Sequence, residues 1–267
     1  MKPTSSVTKR SSRPWLARFL ASERGPWAAY GLGLLLALPA LGVGLLNDDF
    51  VHRVGLEGSF EVYRPSPLRL YEFAGGTMEV EALKDQGALA WWASPGLVLR
   101  FFRPLSSALL WVDHAAFGRA ALPAHVHSLM WLALLSAFST SLLRRLVRPT
   151  AASVAALLYG FAGAHAMTTS WLAARHALVG AAFGVMCLWA HVSFRQGGAR
   201  WRAWLAPAVL VLGLLSSETA LAAIVFVVLY ELLAEAGPKR ARLLAALPAL
   251  SIGAAYLGFY VSQGYGV

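Results

Sequence analysis

The chain of 267 residues is 58% hydrophobic and only 13% charged, with a mean hydropathy of +0.58, which excludes an ordinary water-soluble domain and points to a polytopic helical membrane protein. The formal net charge of +10 does not argue for nucleic acid, because basic residues in such a chain report orientation and contact with anionic headgroups. The single cysteine, Cys187, lies in an apolar segment and excludes both an intrachain disulfide and a cysteine-based metal site.

Residues 1–26 carry six Lys or Arg against one Glu and are rich in Ser, the pattern of a disordered basic cytoplasmic tail. The apolar run 27–46 exceeds the usual apolar core of a cleaved signal, and no small-residue cleavage site precedes Asn47, so it reads as a retained anchor. Residues 47–123 hold nine of the thirteen acidic residues and form the one sizeable extramembrane loop. Within that loop, 104–118 is too short and too polar to span ~30 Å of hydrocarbon at ~1.5 Å per residue. Leu105, Leu109, Val112 and Phe117 recur there at helical spacing, which predicts an amphipathic juxtamembrane helix on the outer surface. Trp91 and Trp92 fit an interfacial aromatic belt, with a sugar-stacking platform as the alternative.

Beyond the loop, apolar runs alternate with Arg clusters at 144–148, 195–202 and 239–242. Placing all three clusters and the basic tail in the cytoplasm requires helices near 27–46, 124–147, 150–166, 177–194, 203–217, 219–235 and 243–262. The expected fold is therefore all-α, with about seven transmembrane helices, a large outer loop, and a transmembrane module over 27–267. Fifteen of the 23 basic residues then lie inside, and Arg175 is the one basic residue of the later outer loops. The run 203–233, broken by Glu218, reads as two short helices because a single long one would put Lys239 and Arg240 outside.

The outer side collects the chemistry. Asp48, Asp49 and His52 open the large loop; Arg103, Asp113, His114, His125 and His127 close it; His165, Arg175 and His176 flank the next outer loop, and Glu218 caps the third. Six of seven histidines thus share one side, which fits a polar cavity suited to proton transfer, although loops hold most polar residues in any membrane protein. The Asp48-Asp49 pair at a helix end is the leading reacting group, since ionisable groups at membrane depth are costly and tend to line cavities.

Four stretches in order carry a family resemblance: Asn47-Asp48-Asp49-Phe50; Phe101-Phe102-Arg103-Pro104-Leu105-Ser106-Ser107 with Asp113; Trp171-Leu172-Ala173-Ala174-Arg175; and Leu215-Ser216-Ser217-Glu218-Thr219-Ala220-Leu221. Together they resemble the membrane-embedded GT-C glycosyltransferases, most of all the tetratricopeptide-repeat protein O-mannosyltransferases and their bacterial relatives. The resemblance covers roughly residues 27–260. It implies a module of about seven helices and transfer of a sugar from a polyprenyl-phosphate carrier to an acceptor on the outer face. Asp48 matches the position of the catalytic carboxylate best, with Asp49 the close alternative. Arg175, then Arg103, are the leading partners of the lipid phosphate, because guanidinium holds phosphate through paired hydrogen bonds. His165, His176, Glu218, Asp113 and His125 complete the expected substrate-binding set.

No cofactor is required, although two adjacent carboxylates can hold a divalent cation through carboxylate and water oxygens. Neighbouring positions of an extended chain, however, face opposite sides. The Ala- and Gly-rich runs 150–166 and 177–194 would pack closely around a lipid chain entering from the bilayer. The sequence departs from the family pattern at Met167, at Ala177 and at Ser217, where an acid, an acid and a cation are expected. Beyond Val267 the resemblance implies further helices, a repeat domain, or another subunit that supplies them. A catalytically silent scaffold or lipid-carrier binding protein is therefore the alternative; a transporter would call for internal repeats or helices broken at the midplane. The bias of 19 Arg to 4 Lys suggests a GC-rich bacterial genome, hence an inner membrane with the N-terminus cytoplasmic. A transferase predicts that Asp48 or Asp49 faces a cavity shared with Arg175.

Overall fold

The computed structural model describes residues 14–59, 63 and 65–267. Among the described residues the fold is all-α apart from one small strand pairing, and four helical segments are long and apolar enough to cross a membrane: Gly25–Gly42, Ala121–Leu146, Leu172–Arg195 and Lys239–Ser262. The expected tail lies partly outside the described residues. Its remainder is not disordered, since α1 (Trp15–Leu20) precedes α2 (Gly25–Ala37), and Glu23 is ion-paired to Arg144.

The first anchor ends earlier than its apolar run. At Pro39 it tightens into a 3-10 turn, Leu38–Gly42, and the chain is extended at Val43. A residue with positive φ, Asn47 at +41°, then redirects the backbone into α3 (Asp48–Leu56). That conformation is uncommon for a residue with a Cβ, so the corner is held in place by the contacts that α3 makes. The long loop after the first anchor continues through β1 (Glu72–Ala74), α4 (Thr77–Asp85) and β2 (Leu99–Arg100). β1 and β2 pair antiparallel, with Glu72 opposite Arg100.

Next comes α5 (Pro104–Phe117), started by Pro104, whose missing N–H costs nothing in a first turn, and stopped at Gly118, whose φ is +54°. Its orientation refines the amphipathic reading. Val112 and Phe117 are exposed, as a lipid-facing stripe would be, while the polar residues Ser106, Ser107 and Asp113 are buried against the bundle.

The bundle comprises α6 (Ala121–Leu146), α7 (Pro149–Gly160), α8 (Ala164–Ser170), α9 (Arg175–Arg195), α10 (Trp201–Leu214), α11 (Leu221–Leu229) continuing as a π-turn (Tyr230–Ala234), and α12 (Lys239–Ser262). The helix expected over 150–166 is divided between α7 and α8, and the one expected over 219–235 starts with a 3-10 turn, Glu218–Ala220, and ends in the π-turn. The central helix is α9. Small residues make this possible: a Cβ on Gly180 would lie 2.7 Å from Ser217 Cβ, and one on Gly184 would lie 3.5 Å from Ala223 Cβ. Leu178, Val179, Ala182, Leu188 and Ala190 bury the rest of its surface against α6, α10 and α11.

Candidate functional site at the outer-loop end

The four motifs, far apart in the chain, meet at the end of the bundle where α9 begins. Asp49 is the first link. Its Oδ1 accepts from the Ala173 N–H at 2.6 Å, and its Oδ2 accepts from Leu172 at 3.3 Å and from Leu46 at 2.9 Å. Asp49 thus caps the 3-10 turn Leu172–Ala174 that leads into α9, where free amides and the helix dipole favour a carboxylate. Burial pushes its carboxyl up from the usual range, and the three amide hydrogen bonds with the nearby His125 oppose that shift. Tyr71 fastens the same turn by donating its hydroxyl to the Ala173 carbonyl at 2.7 Å.

The second link is Arg175, which is only 1% exposed. Its Nη1 donates to Asp113 of α5, its Nε donates to Ser128 Oγ at 2.9 Å, and its Nη2 donates to the Ala124 carbonyl at 2.6 Å. His127 meets the other Asp113 oxygen through Nδ1 at 2.8 Å, and its Nε2 accepts from Trp131 at 3.0 Å. A buried guanidinium whose carboxylate, hydroxyl and carbonyl partners all come from its own chain is an internal strut. The expected role of Arg175 as the leading phosphate ligand does not fit this arrangement.

The third link joins the loop to the far side of the bundle. Arg103 Nε donates to Glu218 Oε2 at 2.9 Å, and Glu218 Oε1 accepts from Tyr260 at 2.9 Å. The Arg103 guanidinium also lies 4.3 Å from the Phe101 ring centre and 5.1 Å from that of Tyr71, a geometry that favours a cation. Beside it, Leu105 N–H donates to the Leu215 carbonyl at 2.9 Å, Ser106 to that of Ser216 at 2.9 Å, and Ser107 accepts from Leu70 N–H at 3.1 Å. His176 Nδ1 lies 3.2 Å from Ser217 Oγ, with its ring edge-on to Tyr71.

His125 and His165 serve elsewhere. His125 bridges the Thr169 and Gly44 carbonyls at 3.3 and 3.1 Å, tying α8 to the corner after the first anchor. His165 packs on Tyr159 and lines a separate groove with Gly33, Pro39 and Gly160.

Asp48 stands apart from these pairs. It is half-buried, no hydrogen bond to it is found among the described residues, and burial raises its carboxyl above the usual range. It lines a cavity of about 530 Å³ whose other walls include Phe50, Val54, Tyr63, Phe73 and Phe101. Among the described residues that line this cavity none is cationic, and Arg175 is not one of them. Behind its wall sits His52, 4% exposed, with Nδ1 3.3 Å from the Tyr63 hydroxyl and Nε2 without a hydrogen-bond partner among the described residues. Burial, aided by the Arg103 charge, pushes the His52 pKa down to about 4, so the ring is neutral near pH 7.

The two carboxylates therefore point to different places. Asp49 offers its oxygens to amides and Asp48 faces the cavity, so the pair does not present itself to one cation, and no group of three metal-binding side chains occurs among the described residues. Sequence reasoning missed Tyr71 and Tyr63. Both lie in a stretch of the loop without periodicity, where only their aromatic character in polar surroundings could have marked them. Comparison with protein-family models, with curated proteins and with solved structures finds no match for this chain.

Proposed function

We propose that the chain is a membrane transferase that moves a sugar from a polyprenyl-phosphate carrier to an acceptor hydroxyl, with Asp48 as the base. The observation that carries this reading is that Asp48, alone of the motif carboxylates, lines an open cavity with no hydrogen-bond partner among the described residues. In the step, Asp48 takes the acceptor proton, the acceptor oxygen bonds the anomeric carbon, and the bond from that carbon to the carrier phosphate breaks, leaving its electron pair on the phosphate. Arg103, at the site but shared with Glu218, is the cation nearest this role.

The contacts also support seven crossings. Asp49 and Ala173 touch, although one long span, Ala121–Leu146, separates them, so they share a face only if 149–170 crosses as well. Arg103 and Glu218 touch, which makes α10 cross. Gly266 donates to Arg100 and accepts from it at 2.8 and 3.1 Å, so α12 ends on the face of the outer loop and 221–234 crosses too. The 12-residue α7 measures only about 18 Å, and α8 supplies the remaining depth. In this frame the N-terminus is on the cytoplasmic side of a bacterial inner membrane.

A second reading, a silent scaffold or lipid-carrier binding protein, is favoured by the enclosure of Arg175. Transfer assays in membranes with labelled polyprenyl-phosphate sugars separate the two. The transferase reading expects Asp48→Asn to lose about 10²–10⁴-fold in rate with unchanged expression, and expects the acidic limb of the wild-type pH profile to lie above that of an exposed Asp. Carrier binding without transfer by the wild type would favour the scaffold.

A further inference from the structure

The far end of α9 carries a basic groove that the proposed transfer step does not use. There α11 ends in the π-turn Tyr230–Ala234, and after 235–238 the chain returns as α12. Arg242 donates from Nε to the Glu231 carbonyl and so holds the start of α12 beside the turn. Between the two is a cavity of about 470 Å³, within the range of about 300–1,000 Å³ that ligand pockets occupy. Lys239 and Arg242 border it, and Leu232, Leu243 and Leu250 form its apolar wall. Leu243 and Leu250 are two turns apart on one face of α12, about 10 Å along its axis. The wall therefore runs lengthwise on a helix that is long and apolar enough to cross a membrane. Leu232 and Leu243 are each 62% exposed, which leaves that wall open to the surroundings of the bundle.

The charges at the groove do not balance. Glu231 is the one acid bordering it among the described residues, and it is 2% exposed, with Oε1 2.8 Å from both Arg195 Nε and His191 Nε2. Its charge is thus answered from α9. Among the described residues the exposed Lys239 side chain has no hydrogen bond or ion pair, and the half-buried Arg242 side chain engages only the Glu231 carbonyl. Two cations without an acid of their own, at the head of an open apolar wall, match a phosphate diester that carries an apolar tail. We propose that the groove seats one anionic phospholipid, its phosphate held by Lys239 and Arg242 and an acyl chain laid along Leu232, Leu243 and Leu250. This inference does not depend on the transferase reading.

Native mass spectrometry of the full chain, exchanged against vesicles of phosphatidylglycerol or phosphatidylcholine, tests it. The wild type should retain one phosphatidylglycerol about fivefold or more over phosphatidylcholine, whose choline cancels the phosphate charge. Lys239→Gln, which removes a side chain without a partner, should lower phosphatidylglycerol retention about fivefold, the worth of one basic residue against an anionic headgroup. Arg240→Gln removes the same charge from the same turn but does not border the cavity, and should change retention less than about twofold by the same measure. Leu250→Trp, which fills the apolar wall, should weaken both lipids. Equal retention of the two lipids by the wild type overturns the proposal, and so do equal losses in Lys239→Gln and Arg240→Gln, the mark of diffuse attraction to a basic surface. Displacement of the lipid by inorganic phosphate at equal concentration, or undiminished retention in Leu250→Trp, overturns the seat for the tail and the proposal with it.

Discussion

Arg175 has its guanidinium held by Asp113, Ser128 and the Ala124 carbonyl, at a point where water is excluded. Removing one partner of such a pair leaves an uncompensated charge in the interior, which costs far more than the pair contributes net. Arg175→Met is therefore expected to destabilise the detergent-purified protein by about 3–5 kcal/mol. Adding Asp113→Leu should restore much of that loss, a strong coupling in a double-mutant cycle. A single-variant cost below about 1 kcal/mol would mean that the pair is effectively solvated. The sequence shows both charges near helix ends on one face, which is why both were legible as site residues. It does not show their pairing across 62 positions, because that depends on how α5 crosses the bundle. The result is that Arg175 reads as a phosphate ligand in the sequence and as a strut in three dimensions. For Asp48 and Asp49 the sequence places a carboxylate pair at the corner, and only the positive φ of Asn47 and the amides of Leu172 and Ala173 tell the two apart.

At the scale of elements, small residues decide which helices meet. The Ala- and Gly-rich runs 150–166 and 177–194 suggest close packing around a lipid chain, but in the fold Gly160, Gly180 and Gly184 receive other elements of the protein. A Cβ on Gly33 of α2 would lie 2.8 Å from Gly160 Cα, and one on Gly160 would lie 2.9 Å from Gly33 Cα, so α2 and α7 touch backbone to backbone. Such contact suits a bilayer, where dispersion rather than water expulsion holds helices together. Gly33→Leu and Gly160→Leu should each lower stability by about 1–3 kcal/mol through overpacking, read as a drop in thermal midpoint in detergent. Gly31, also on α2, has nothing within 4 Å of its added Cβ, and Gly31→Leu should leave the midpoint nearly unchanged. A similar loss at Gly31 would show that backbone contact between α2 and α7 is not the cause, since Gly→Leu by itself raises helix propensity. The sequence marks these positions as small; it does not name the partner, because every Gly in an apolar helix looks alike until the crossing points are known.

For the whole molecule, two topologies compete, and four positions separate them. Hydropathy and helix length alone select the four long spans, which would return the C-terminus to the side of the N-terminus. The contacts Asp49–Ala173, Arg103–Glu218 and Arg100–Gly266 fit instead the seven crossings proposed above, in which α7 with α8, α10, and 221–234 also cross, as the Arg clusters ask. The one native thiol, Cys187, is buried, so Cys187→Ala provides a clean background for single cysteines at the exposed positions Gln86, Ala199, Gly237 and Gln263. With seven crossings, a membrane-impermeant maleimide applied to intact cells labels Gln86→Cys and Gln263→Cys, and reaches Ala199→Cys and Gly237→Cys only after permeabilisation. With four crossings, positions 86, 199 and 237 share one side and 263 takes the other. The fate of position 263 is the sharpest reading, because Gly266 is paired to Arg100 in the outer loop. If 263 were accessible only from the side opposite 86, that pairing would be broken in the membrane, and with it the common face on which Asp48, Arg103 and Glu218 are gathered.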